Sequence, residues 1–233
     1  MAGRALQSSA NIVVAHGTQS FPAGLFASPA AAKKLLMGII EWEHPHLAEK
    51  IHLVLENHAK GGLLALERLW DKGHRKVLLV GTETMNYYLE RDEDGPCRHG
   101  RAFRQEWLRR GGQIEIMSSD HSQDPIIKVD ENKLHALFRQ PDPPTAVFGL
   151  RDVEVVATKT AMRKSLPELV DRMDWIGYGN TPWSFGAEKP FDTVDWSLEK
   201  MAVAICEVIA EGLANPKGEK RKILIDPKLV VRD

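Results

Sequence analysis

Residues 173–183, MDWIGYGNTPW, concentrate groups that bind small molecules. Asn180 and Thr181 offer hydrogen-bond donors and acceptors, and Trp183 offers a flat apolar face. Gly177 and Gly179 let a backbone turn sharply and lie close to a ligand. The competing reading is a strand-to-loop turn whose aromatic rings fill a core. Other chemistries find less support. Gly177-x-Gly179 lacks the third glycine and the helix start of a dinucleotide fingerprint. There is no P-loop and no Gly-x-Ser-x-Gly elbow. His44 and His46 flank Pro45 with no carboxylate or cysteine cluster nearby, which reads as a loop rather than a metal site. Cys97 and Cys206 match no metal spacing. The acidic run Asp92–Asp94 and the basic run Lys217–Lys222 read as solvated segments. No nucleophile–base pair stands out, so no catalytic residue, metal or cofactor is assigned.

These groups need a scaffold, and the pattern supplies one. Asn11–His16, Met37–Trp42, Ile51–Leu55, Lys76–Val80, Ile114–Met117, Thr145–Leu150 and Asp174–Tyr178 read as strands, several of them apolar throughout. Between them, Ala30–Leu36, Gly62–Lys72, Arg98–Arg110, Glu131–Arg139, Asp152–Lys164 and Leu198–Leu213 read as helices. Thr82–Pro96 reads as a long polar loop. The C-terminal KILIDPKLVVRD forms two short runs around Asp226-Pro227. Strands alternating with helices imply an α/β fold of parallel sheets covered on both sides. Such sheets bind ligands beyond the carboxyl ends of their strands, which directs attention to the loops after Val80, Leu150 and Tyr178.

The chain has 233 residues, 43% hydrophobic and 27% charged, as in an ordinary globular protein. Its formal net charge of −1 gives no field that attracts nucleic acid or anionic lipid. No long apolar segment marks a signal peptide or membrane helix, so a cytoplasmic protein without membrane contact is expected.

Six stretches in order resemble the effector-binding core of LacI-type transcription regulators, which share the two-lobed fold of periplasmic sugar-binding proteins. GGLLALERLWDKGHRKVLLVG resembles the family's helix, Gly-His-Arg/Lys and apolar strand. RHGRAFRQEWLRRGG resembles the segment in which an arginine precedes Gly-Phe. PPTAVFGLRDVEVVATKTAM is similar to Pro-Thr-Ala-Val-Phe…Asn-Asp…Ala, and WIGYGNTPW to Val-Gly-Tyr-Asp-Asn/Asp-Thr. KPFDTVDWSLEKMAVAICEVI and LIDPKLVVRD resemble the closing segments. The resemblance implies an N-terminal lobe of 1–57 with 193–215, shortened at its front by roughly one βα unit. It implies a C-terminal lobe of 58–190 with 219–233.

The resemblance further implies a small sugar-like effector held in the cleft between lobes, and a homodimer. DNA contact would come only through an upstream helix-turn-helix module, which this sequence lacks. Ligand-binding positions carried over are Arg98, His99, Arg151, Asp152, Gly179, Asn180 and Trp183. Three depart from the family. His99 stands where the effector-binding arginine sits, Arg151-Asp152 replaces Asn-Asp, and Gly179 replaces a carboxylate that grips sugar hydroxyls. With Arg151 added and the carboxylate at 179 lost, a sugar acid or sugar phosphate becomes the expected ligand. A transporter's solute-binding protein, or a small α/β enzyme with His99 or Asp152 as general base, are the rival readings.

Overall fold

A computed structural model describes residues 9, 11–16, 35–40, 51–92, 97–123, 126–216 and 218–232. In chain order its elements are β1 (Ile12–His16), β2 (Leu35–Ile40), β3 (His52–Glu56), α1 (His58–Asp71), β4 (Lys76–Thr82), α2 (Glu83–Arg91) and α3 (Arg98–Arg109). There follow β5 (Gln113–Gln123), β6 (Ile126–Val129), α4 (Glu131–Phe138), β7 (Ala146–Gly149), α5 (Asp152–Ser165), α6 (Pro167–Val170) and β8 (Asp174–Tyr178). The last are α7 (Pro182–Phe185), β9 (Asp192–Asp195), α8 (Leu198–Ala214), β10 (Lys222–Ile225) and β11 (Lys228–Val230). The fold is α/β, with mainly parallel sheets flanked by helices, as the alternating pattern predicts.

Contacts divide the chain into two units, Met1–Asn57 with Ser197–Asp226, and His58–Trp196 with Pro227–Asp233. The expected lobes differ from this in two places. Residues 193–195 belong to β9, which pairs with β8 in the second unit. Residues 222–225 form β10, which pairs with β3 in the first. Strand pairing, which the local pattern does not encode, decides both.

The described sheet of the first unit runs β1-β2-β3-β10, all parallel. Val54 and Ile225 from this sheet pack against Met201, Ala204 and Val208 of α8. Those α8 residues recur at helical spacing, so one face of the helix turns to the sheet.

The second unit holds a seven-stranded sheet in the order β11-β9-β8-β7-β4-β5-β6. Its five central strands are parallel and the two edge strands antiparallel. Leu78, Val80, Val147 and Trp175 face one apolar cluster, and Val77, Leu79, Phe148 and Ile176 face another. The period of two thus puts helices on both faces, and the continuous apolar runs follow from that double burial. On α3, His99, Phe103 and Trp107 repeat every four residues and are buried. A Cβ at Gly62 would lie 2.0 Å from the His99 carbonyl oxygen, so glycine there lets α1 close on α3.

Three local expectations are corrected. Thr82–Pro96 is not one loop, because α2 occupies Glu83–Arg91. The Thr82 hydroxyl caps it by accepting from the Met85 N–H at 3.2 Å, and Asp92 ends it at φ 54°. Buried Asn86 and Leu89 hold it to the body. Second, the strand expected at Ile114–Met117 extends to Gln123, where β6 pairs with it. Third, Leu35 and Leu36, assigned to a helix, belong to β2. His44, His46, Glu93 and Asp94 lie outside the described residues.

Candidate functional site

The parallel strands of the second unit end along one edge. Thr82 stands opposite Ser119, Val80 opposite Gly149, and Tyr178 opposite Val194. Beyond these ends lie Arg151, Gly179, Thr181 and Trp196, while β5 runs on to His121. They meet around a concave site of about 410 Å³, lined by His121, Ile127, Arg151, Asp152, Val153, Tyr178, Thr181, Trp183 and Trp196. A second hollow of about 510 Å³ adjoins it, between β6, α5 and Trp183.

Asp152 opens α5 and is 1% exposed. Its carboxylate accepts from the Thr181 N–H at 2.6 Å, the Thr181 hydroxyl at 2.9 Å and the Thr193 hydroxyl at 2.5 Å. It therefore ties the start of α5 to the turn after β8 and to β9. Burial raises its pKa above the ordinary value, and these hydrogen bonds oppose the rise. The turn it holds includes Gly179 at φ 124° and Asn180 at φ 50°.

Arg151 has an acidic partner. Its Nε donates to both Glu154 oxygens, at 3.1 and 3.2 Å, and its Nη2 also reaches Oε1. His121 Nε2 lies 3.2 Å from Glu154 Oε1, 3.0 Å from Arg151 Nη2 and 3.0 Å from Ser119 Oγ. The Glu154 side chain is fully buried and that of Arg151 is 37% exposed. The expectation of an acidic ligand assumed an uncompensated charge at Arg151, and Glu154 removes that premise. A signal for it lay in the sequence: Arg151 and Glu154 are three apart at a helix start, the spacing of facing side chains. Ser119, His121 and Glu154 do not form a relay, since serine and carboxylate approach the same ring nitrogen rather than opposite ones.

Trp183 lies on the short α7, is 51% exposed, and lines both hollows. Trp196 follows β9, with its indole Nε1 buried and without a hydrogen-bond partner among the described residues. A Cβ at Gly179 would stand 3.5 Å from that nitrogen, so the bare turn passes close to the indole.

Arg98, His99 and Asn180 are not among the lining residues. His99 is 5% exposed, its Nε2–H donating to the Leu150 carbonyl at 2.9 Å and its ring stacked on Tyr178 at 3.9 Å. Burial drives its pKa down to about 3, the neighbouring His58 adding to the shift. Such a histidine is a neutral core residue. Arg98 opens α3 half-buried, close enough for its charge to lower the His58 pKa. The Asn180 amide donates to Asp195 at 3.2 Å and accepts from Arg232 at 2.5 Å, which engages both its ends.

The expected positions Arg151, Asp152 and Trp183 thus meet at the site, with Gly179 beside its Trp196 wall. Sequence reasoning missed His121, Thr181 as a lining residue, Tyr178 and Trp196. Trp196 sits just past β9, a strand not separately assigned from the sequence. His121 sits on the part of β5 beyond its expected end. Among the described residues, no group of three or more His, Cys, Asp or Glu could hold a metal. None of the described helices is long and apolar enough to cross a membrane.

Residues 66–233 match the periplasmic binding protein-like domain family. The HTH-type transcriptional repressor PurR of Aliivibrio fischeri is 23% identical over 203 residues, covering 85% of this chain and 57% of that protein. The chain therefore spans little more than half the length of this relative. A LacI family transcriptional regulator from Enterococcus faecalis V583, solved with bound ribose, superposes with a TM-score of 0.71 at 13% identity, covering 99% of this chain and 79% of that one. A transcriptional regulator CelR–cellobiose complex gives 0.72 at 17% identity, covering 99% and 68%.

Proposed function

The chain belongs to the periplasmic binding protein-like domain family, in the form that serves LacI-type regulators as effector-binding core, and we propose that the site beside Trp183 binds a small sugar-like effector. The observation that carries this reading is the pocket at the strand ends, where three aromatic residues stand beside Arg151, His121 and Thr181. An aromatic face stacks on the apolar side of a sugar ring, and the polar groups orient its hydroxyls. The ribose and cellobiose bound by the two structural neighbours support a carbohydrate as ligand. Homologues of this chain are transcriptional regulators, so binding here serves control rather than turnover. Effector occupancy would bias the regulator between two arrangements that differ in DNA affinity. A helix-turn-helix such as the relatives carry by name would make the DNA contact, and the regulator would work in the cytoplasm.

Calorimetric titration with D-ribose, D-xylose and cellobiose tests the reading. At least one should bind, and Trp183→Ala should weaken it about tenfold or more, as expected when a stacking ring worth roughly 1.5 kcal/mol is lost. Unchanged affinity in that variant, or no heat from any of the three sugars, would remove the proposal.

We further propose that the chain pairs as a homodimer, since operators with two half-sites reward two-fold symmetry. Sedimentation equilibrium at concentrations on the order of tens of micromolar, suited to weak dimers, should show the dimer. A monomer throughout that range would refute it.

A further inference from the structure

We propose that Glu154 sets the charge of this pocket and makes it a site for an uncharged ligand rather than an anion, a refinement that rests on the reading above. An arginine at a pocket wall ordinarily marks a carboxylate or phosphate site, because its fork of N–H donors matches those anions. In this pocket the Nε/Nη2 edge of that fork is already taken by Glu154. Glu154 is fully buried directly behind Arg151 and receives both Nε and Nη2. An anion arriving at Arg151 meets a guanidinium whose charge is compensated by an internal carboxylate that cannot swing away into water.

The other charges nearby point the same way. Asp152, in the lining itself, is a second acidic group. Arg232, the further cation whose field reaches Asp152, is engaged with Asn180 and the Phe191 carbonyl. His121 Nε2 already faces Arg151, Glu154 and Ser119. With one arginine balanced by one buried carboxylate and another acidic group alongside, the described lining of the pocket offers no surplus positive charge, and Lys164 of the adjoining hollow is met by Glu131. What it does offer is aromatic surface, the outer edge of the guanidinium and the Thr181 oxygen. These suit an uncharged hydroxylated ring. Glu154 is thereby a specificity-determining residue, although it does not line the pocket.

Inorganic phosphate is the probe, titrated calorimetrically at constant ionic strength and near-neutral pH. The wild-type chain should give no saturable binding up to tens of millimolar, a range that corresponds to affinities of roughly 2–3 kcal/mol. Glu154→Gln, which keeps the shape and removes the charge, should bind phosphate at least about tenfold more tightly, with Arg151→Gln/Glu154→Gln losing the gain. Glu67→Gln removes one negative charge from the surface pair with Arg110 and should behave as wild type. Should Glu154→Gln not fold, Glu154→Met keeps a similar volume and carries the same expectation. Saturable phosphate binding by the wild type, or no gain on removing the Glu154 charge, overturns the inference. Neither result depends on the sugar titrations, so the reading of an effector site and its charge selectivity fail separately.

Discussion

Acidification from pH 6.5 to 4.5 is expected to destabilise the second unit by about 3–5 kcal/mol, with His99 and His58 responsible. His99 is buried and His58 half-buried at the contact of α1, α3 and β8, with ring centroids 6.0 Å apart and His99 stacked on Tyr178. Burial is the main cause that holds His58 down to about 4 and His99 down to about 3. In the unfolded chain each takes up a proton near pH 6.5, while in the folded chain each stays neutral. The unfolded state therefore binds more protons below 6.5. Stability is complete above that pH and is lost as the pH falls toward 4 and then 3. Each unit of pH in that window is worth about 1.4 kcal/mol per histidine. Urea titrations across pH 4.5–8 measure the slope. His99→Phe gives up the bond to the Leu150 carbonyl and so lowers stability at every pH. Its distinguishing effect is a slope reduced by about half between pH 6.5 and 4.5. An unaltered slope in that variant would show that His99 is not the group taking up the proton.

Replacement of Asp152 by alanine is expected to lower stability by about 3 kcal/mol or more, the range for removing a charged acceptor that serves several buried donors. Three donors converge on this carboxylate, and the Thr181 backbone N–H among them cannot turn to another acceptor. Thr193 is itself fully buried. Asp152→Asn retains a carbonyl acceptor but sets an amide N–H₂ against donors, so it should fall between alanine and wild type. The turn carrying Gly179, Asn180 and Thr181 would lose its anchor as well. Sugar affinity in Asp152→Asn should therefore fall together with stability, whereas Trp183→Ala should lose affinity with stability almost intact. Denaturation and calorimetry on both variants separate the roles. If Asp152→Ala unfolds within about 0.5 kcal/mol of wild type, the scale of a neutral surface substitution, the anchoring role is wrong.

The backbone order was largely legible in the residues. Val-Leu-Leu-Val in β4 and Ala-Val-Phe in β7 are apolar on both faces because helices cover both sides of a parallel sheet. The four-residue spacing of His99, Phe103 and Trp107 announces a buried helix face, although the family resemblance points to His99 as a ligand group. The same spacing that marked α3 already placed that histidine inside. α2 escaped because its sequence is polar apart from Met85, Tyr87, Tyr88 and Leu89, so its existence rests on the Thr82 cap and two buried side chains.

What the residues determined by themselves was the alternating α/β order and the family likeness, and they directed the proposal of a ligand site to the turn after β8. These depend on neighbours in the chain and on periodicity, which are local. Only the tertiary structure decided which charges are free and which are met. Arg151 finds His121 thirty residues upstream, and Asp152 finds Thr193 forty-one residues downstream. Asn180 finds Arg232 across fifty-two residues. An ionised side chain binds a ligand or holds the fold according to the partners within about 3 Å of it, and those partners are fixed by packing rather than by sequence distance.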